Sequence, residues 1–357
     1  MLAALESVLE PQLQRPVTEL GMVRGVVVRP GRVQVTLALV VAGHPDGPQL
    51  RADVAGAVSA LGVAQVDVDV TSMNDDDRAR LRRQLQGERS SPPSALEGAR
   101  IFAVASGKGG VGKSSIATNL AVAMARRGLR VAVLDADVWG FSTPRMLGVD
   151  RGPMIVDSLL VPPRAHGVRL ASVGLLTDES APVVWRGPML HKMIEQFVHD
   201  VFWDDPDVLL VDMPPGTGDV ALSLADLLPD AEAVIVTTPQ AAAQRVAQRA
   251  GVAARQIKLR LAGVIENMSW FTGNDGQRYE LFGAGGGELL ARELGVELLG
   301  QVPLVPSLRE GADLGRPVVV HEPGSEASRA LDALATRLLD LPAPRRRRPQ
   351  LRITAAT

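Results

Sequence analysis

Two hydrophobic rhythms divide the chain. In the first, Leu2, Leu5, Val8 and Leu9 fall at helical spacing. Residues 22–28 and 32–40 then read as two strands joined by the turn Arg29-Pro30-Gly31. A helical stretch follows over 49–61. Over 63–70 apolar and acidic residues alternate (Val66, Asp67, Val68, Asp69, Val70), the pattern of a half-buried strand. Residues 75–85 read as a charged helix with Asn74 as its N-cap. From Arg100 the rhythm changes to short, continuously apolar runs at 101–105, 130–134, 168–173, 208–211, 233–237, 261–265 and 297–302. Helical stretches separate most of them, and a last helix falls near 325–340. Strands of this kind are buried on both faces, which predicts a mostly parallel sheet covered by helices. The expected fold class is α/β: a large parallel-sheet domain behind a small N-terminal α/β domain. The expected boundaries are 1–85 for the small domain, 86–99 for a linker carrying Pro92-Pro93, 100–341 for the large domain and 342–357 for a basic tail.

Composition narrows the chemistry. A hydrophobic fraction of 46% with 22% charged residues is ordinary for a globular chain and excludes wholesale disorder. With aromatics at 3%, the core must be aliphatic. A net charge of -2 gives no global attraction for polyanions, so nucleic acid is not an expected partner. The run Arg345, Arg346, Arg347, Arg348 has no interleaved aromatics and reads as a solvated tail. Cysteine is absent, which excludes disulfides and any zinc or iron-sulfur site ligated by this chain's own thiolates. No run reaches the ~18 apolar residues of a membrane span. The first residues lack the basic start of a secretory signal, so the cytoplasm is the expected location.

The candidate chemistry is concentrated after the first strand of the large domain. Ser106 is followed by Gly107-Lys108-Gly109-Gly110-Val111-Gly112-Lys113-Ser114, which fits G-x-x-x-x-G-K-[ST] between a strand and a helix. The glycines let backbone N–H groups converge on phosphate oxygens, and the helix N-terminus adds partial positive charge. Lys113 is placed to neutralise β/γ-phosphate charge, and the Ser114 hydroxyl to hold Mg²⁺. Half of the chain's four lysines, Lys108 and Lys113, lie in this loop. Two further apolar runs end in acids: one in Asp135-Ala136-Asp137, the other in Asp212, the latter suited to support Mg²⁺ through water. The glycines of Pro214-Pro215-Gly216-Thr217-Gly218-Asp219 suit a switch loop that swings toward a γ-phosphate.

The second lysine, Lys108, resembles the deviant Walker A motif of the MinD/ParA/nitrogenase-iron-protein class. The strings SGKGGVGKSS, LDADVWGFSTPRMLG, WRGPM, LLVDMPPGTGD, VTTPQ, ENMSWF and LLGQVPLVPSLREGADLGRPV together resemble the Mrp/ApbC family of iron-sulfur-carrying P-loop ATPases. ELGMV and VTSMNDDDRARL resemble the small iron-sulfur-assembly domain often fused in front of it. The resemblance implies a cytoplasmic, homodimeric, slow, switch-like ATPase that uses ATP and Mg²⁺ and delivers clusters to apoproteins. It implies Lys108, Lys113 and Asp137 as catalytic residues, with Lys108 reaching the partner's phosphates and Asp137 positioning water. It implies Gly107, Lys108, Gly109, Gly110, Val111, Gly112, Lys113, Ser114, Ser115 and Asn267 around ATP, with Asn267 on the adenine edge beside the 303–306 region, and Ser114 and Asp212 around Mg²⁺. The family's C-P-x-C cluster ligands are replaced here by the 270–276 stretch, whose donors are the weak oxygens of Thr272, Asn274 and Asp275. Where relatives often carry Cys before Pro in the small domain, this chain has His44-Pro45, a loop histidine expected in solvent. His191 and His199, eight apart on one helix, are expected to be structural or solvent-facing. A partitioning or septum-positioning ATPase of the same class would need a membrane-binding amphipathic C-terminal helix or a DNA-binding surface, and RRRRPQLRITAAT, with Pro349 in it, has too few apolar residues to make such a helix.

Overall fold

The two rhythms become two units in the computed structural model, which describes residues 1–87, 96–138, 140–176, 187–216 and 218–343. Residues 88–95 of the expected linker, Trp139, Trp185 and Arg186 of the WRGPM string, Thr217, and the Arg345 to Arg348 run lie outside the described residues.

The first unit contains α1 (Leu2–Glu6), β1 (Val23–Arg29), β2 (Arg32–Leu39), α2 (Gly47–Ser59), β3 (Gln65–Ser72) and α3 (Asp75–Gln86). Its sheet runs β1-β2-β3, antiparallel between β1 and β2 and parallel between β2 and β3. Val33, Val35 and Leu37 alternate inward from β2 and meet Leu50, Val54 and Val58, spaced four apart on α2. Asn74 caps α3 by accepting the Asp77 N–H at 2.8 Å, and three aspartates in the first turn favour the helix dipole. β3 begins two residues later than the alternation predicted, because residues 60–62 still turn out of α2.

The second unit follows with β4 (Arg100–Ser106), α4 (Lys113–Ala125), β5 (Val131–Asp135) and α5 (Thr143–Leu147). The chain then leaves it for the hairpin β6 (Met154–Val156) and β7 (Leu159–Val161). This hairpin, within Arg151–Arg164, and the segment Gln196–Asp204 cluster with the first unit, although the sequence placed them in the 100–341 domain. Met154, Val156, Leu159, Val161 and Phe202 complete the first unit's core, an assignment that contiguous boundaries do not express. The second unit continues with β8 (Arg164–Ala165), β9 (Val168–Ser172), α6 (Gly187–His199), β10 (Val208–Asp212), α7 (Asp219–Leu227), β11 (Glu232–Thr237), α8 (Ala241–Gln256) and β12 (Arg260–Asn267). After the small ribbon β13 (Phe271–Thr272) and β14 (Arg278–Tyr279) come α9 (Gly286–Leu294), β15 (Leu298–Val302), α10 (Pro306–Asp313), α11 (Val318–His321) and α12 (Glu326–Asp340).

The large sheet runs β15-β12-β11-β4-β10-β5-β9-β8, and every pairing from β15 to β9 is parallel. Phe102, Val104, Val133, Leu210, Val234 and Ile265 form its buried middle. α4 is buried nearly all round, from Ile116 to Met124, because α11 and α12 cover the side that does not face the sheet. The phosphate loop is thereby mounted on a central helix, and the strands deliver their carboxyl ends to one edge of the sheet, where open α/β sheets bind ligands. Among the described residues no helix is long and apolar enough to cross a membrane.

Candidate nucleotide-binding site

The loop between β4 and α4 is shaped by what glycine alone permits. A Cβ on Gly107 would lie 2.3 Å from the Val246 backbone of α8, so α8 closes directly onto the loop. Gly112 has φ 81° at the N-cap of α4, and a Cβ there would meet Asn267 Nδ2 at 2.2 Å. The Ser106 hydroxyl donates to the Lys108 carbonyl at 3.0 Å, and the Gly216 N–H donates to the Ser106 carbonyl at 2.9 Å, tying the loop after β10 to the end of β4.

Around this loop lies a cavity of about 670 Å³. Its walls include Lys108, Gly109, Gly110, Gly112, Lys113, Ser114 and Ser115 from the loop, and Asp137, Gly140 and Ser142 beyond β5. Met146, Leu190, Pro214, Pro215 and Val220 add apolar surface. Val111 is buried behind the loop and Gly107 is not part of the wall.

Parallel register sets the acids side by side. Asp212 pairs with Asp135 across β10 and β5 and with Val104 of β4, and its carboxylate reaches the loop at Lys113. Lys113 is buried and its ammonium donates to Asp212 Oδ1, with Asp137 Oδ2 at 3.9 Å and Ser114 Oγ at 3.3 Å. Asp137 accepts the Gly140 N–H at 3.1 Å and its own N–H donates to Asp135 Oδ1 at 3.2 Å. Burial, and then the Asp212 carboxylate beside it, push the Asp135 carboxyl up to about 7. The set of carboxylate and hydroxyl oxygens at Asp137, Asp212 and Ser114 is a hard donor group of the kind Mg²⁺ takes.

Lys108 lies at the rim, half-buried, and donates to Gln240 Oε1 at 3.4 Å. Asn267, expected at the adenine edge, is not in the cavity wall: it is buried beneath the loop, donating to the Val111 carbonyl at 2.9 Å, with its Oδ1 unpartnered. The structure adds residues that motif spacing did not flag. Thr143, fully buried, donates to Asp212 Oδ2 at 3.3 Å, and Ser172 donates to Asp135 Oδ2 at 3.2 Å. The Ser142-Thr143-Pro144 helix start was the available signal for the first; nothing local marks the second.

The remaining candidates separate clearly. In the 270–276 stretch Thr272 donates to Glu326 at 2.8 Å, and Asp275 accepts the Tyr279 hydroxyl at 2.6 Å and the Gln277 N–H at 3.0 Å. Glu326 of α12 also accepts from Trp270 and Arg278, so two of the three oxygen donors of this stretch, Thr272 and Asp275, are already hydrogen-bonded. His191 hydrogen-bonds Ser223 at 3.0 Å and His199 is exposed. His44 is not in solvent: it is buried, because the 40–46 turn folds inward and brings its Nε2 to 3.2 Å from the buried Glu10 carboxylate.

Comparison with known proteins agrees with this geometry. The family model described as NUBPL iron-transfer P-loop NTPase matches residues 98–339, and one described as iron-sulfur cluster assembly protein matches residues 1–70. An iron-sulfur cluster carrier protein of Mycobacterium leprae is 46% identical over 352 residues, covering 94% of this chain and 91% of its own length. One of Synechocystis is 42% identical over 346 residues, covering 95% and 96%. Among solved structures, a nucleotide-binding protein of Archaeoglobus fulgidus in complex with ADP superposes with a TM-score of 0.56 at 34% identity, over 71% of this chain and 95% of its own. The cell division ATPase MinD of Pyrococcus furiosus shares the fold, with a TM-score of 0.52 at 24% identity over 68% of this chain and 100% of its own. With the first model spanning most of the chain and such relatives matching it almost end to end, the chain belongs to the iron-transfer P-loop NTPase family.

Proposed function

We propose that the chain is a cytoplasmic, homodimeric, Mg²⁺-dependent ATPase that carries iron-sulfur clusters to apoproteins. The observation that carries the reading is that Lys113 and Asp137 line a cavity walled by the phosphate loop, with the fully buried Asp212 bonded to the Lys113 ammonium behind that wall. The N–H groups of the loop and the start of α4 bind the β- and γ-phosphates of ATP. Lys113 leaves Asp212 and turns to the phosphate oxygens. Ser114 and Asp212 would hold Mg²⁺, which would supply neutralisation of phosphate charge. Asp137 orients the attacking water. Asn267 supports the loop from beneath through the Val111 carbonyl.

Lys108 acts in trans. It sits at the cavity rim with a weak partner in Gln240, from which it can extend to a second copy's phosphates. Hydrolysis then requires dimer closure, as an arginine finger couples turnover to a partner elsewhere. Turnover is slow, since a switch must persist long enough to be read. Lys108→Ala should keep most of the ATP affinity and lose most of the turnover. An unchanged rate from a monomer with this substitution would sink the sandwich arrangement.

The cluster is cargo, and this chain offers no thiolate to it. Cluster iron prefers thiolate ligands. The cluster is therefore held with thiols from the donor, the client or a small molecule. A second reading is an ATP-gated scaffold that no longer carries a cluster, favoured by the hydrogen bonds that already engage Thr272 and Asp275. Anaerobic reconstitution with iron and sulfide separates the two. Cluster retention only with added thiol, followed by ATP-dependent transfer to an apoprotein, supports the carrier; no retention under any condition supports the scaffold. Near-stoichiometric cluster without added thiol would overturn the ligand argument.

A further inference from the structure

Outside the nucleotide site, the buried polar groups of the first unit converge on one point. Glu10 and His44 are 0% and 4% exposed, and Glu10 Oε1 lies 3.2 Å from His44 Nε2. The contact is close but misaligned: neither atom makes a hydrogen bond, although both are buried. A carboxylate oxygen of Asp46 joins them, with all three potential ligand atoms within 4.8 Å of one another. Ligand atoms around a tetrahedral ion with bonds near 2.0–2.2 Å lie roughly 3.3–3.6 Å apart. The observed 3.2 Å pair is at that spacing, and a carboxylate oxygen of Asp46 lies within 4.8 Å of both atoms.

The surroundings hold these groups in place. Glu10 Oε2 accepts the Gln12 N–H at 3.0 Å and the Leu13 N–H, which fixes Oε1 toward the histidine. Asp46 receives the Arg151 guanidinium at 2.6 Å and the Gln12 amide at 3.4 Å. Outer hydrogen bonds of this kind orient ligating carboxylates. Two carboxyl groups, of Glu10 and Asp46, meet here beside one guanidinium, that of Arg151. A buried, uncompensated carboxylate is costly, and a bound cation or a proton must balance it.

We infer that Glu10, His44 and Asp46 form a mononuclear binding site for a divalent first-row transition-metal ion in the N-terminal unit. One imidazole and two carboxylates are a borderline-to-hard donor set, suited to Fe(II), Mn(II), Co(II) or Zn(II) and not to a thiolate-seeking cluster. His44 Nδ1 accepts the Asp46 N–H at 3.2 Å, so the proton now sits on Nε2. Ligation through Nε2 places the ring proton on Nδ1, which breaks this long hydrogen bond and shifts the 44–46 turn. The site lies wholly in the first unit and is separate from the Mg²⁺ position beside Ser114 and Asp212.

The test uses the full chain, freed of metal by chelation and titrated with Co²⁺ without nucleotide, read by visible absorption and metal content after desalting. The expected result is one Co²⁺ per chain, with affinity falling in His44→Gln and in Asp46→Asn by more than the roughly 10–100-fold typical of losing an outer hydrogen-bond partner alone. Asp275→Asn, in the ribbon of the other unit, should bind Co²⁺ like wild type. Mg-ATP binding by the His44 variant should be unaltered, showing that the second unit is folded, and its far-UV circular dichroism should match wild type, reporting on the first. Should His44→Gln fail to fold, the partly exposed Asp46→Asn decides alone. No saturable uptake, or uptake indifferent to Asp46→Asn, would overturn the site and leave a buried histidine–glutamate pair balanced by a proton.

Discussion

Asp135 offers a perturbation whose size can be worked from the structure. It stands in register with Asp212, and the Lys113 ammonium is shared among Asp212, Asp137 and their surroundings. Burial and the neighbouring carboxylate raise its carboxyl from 3.8 to about 7. A carboxyl with a raised folded-state value stabilises the fold when protonated. That contribution is complete below about 3.8 and is lost as pH rises through about 7. The gap corresponds to roughly 4 kcal/mol held against the charged form. Asp135→Asn mimics the protonated acid: its carbonyl can still accept the Asp137 N–H, and its NH₂ can donate to Ser172 Oγ. In chelated, nucleotide-free buffer the variant should be more stable than wild type at pH 8, by up to roughly 4 kcal/mol. The difference should shrink to under about 2 kcal/mol at pH 5 and close near pH 4. The assay is thermal unfolding of the transition that Mg-ATP shifts, where each kcal/mol is worth about 2–4 °C. A variant less stable than wild type at pH 8, or a difference independent of pH, would refute the reasoning.

The two functional acids should separate kinetically. Asp137→Asn should lower kcat with little change in ATP affinity, because orienting water matters most in the transition state. Asp212→Asn should weaken the Mg²⁺ dependence, and it should also loosen Thr143, which donates to the same carboxylate. Equal effects of both substitutions on ATP affinity alone would contradict this division.

How far the sequence reached depended on how local each constraint was. The loop around Lys113 was legible because a backbone cradle for phosphate dictates glycine and lysine spacing within eight residues. The strands ending in Asp135 and Asp212 were legible as apolar runs, but their side-by-side register, and with it the raised Asp135, needed the order β4-β10-β5. Asn267 was found as a strand-end residue, yet its contact with Val111 spans 156 positions and no local pattern reports it. His44 was misplaced in solvent because a turn gives no hint of what it folds against; Glu10, its partner, is 34 residues upstream. That the hairpin of β6 and β7 clusters with the first unit is not legible from its apolar residues, which carry no mark of which core they complete.

The central claim is that Lys113 and its loop hold the phosphates of Mg-ATP, and nucleotide-dependent stabilisation of Lys113→Ala tests it most directly. The quantity to read is the shift on adding Mg-ATP, not the absolute midpoint, since the substitution also strips Asp212 of its buried counter-charge. Wild type at about 100 times its dissociation constant should gain roughly 2.7 kcal/mol. Lys113→Ala should gain nothing measurable under the same conditions. A Lys113→Ala protein stabilised by Mg-ATP as strongly as wild type would contradict the account.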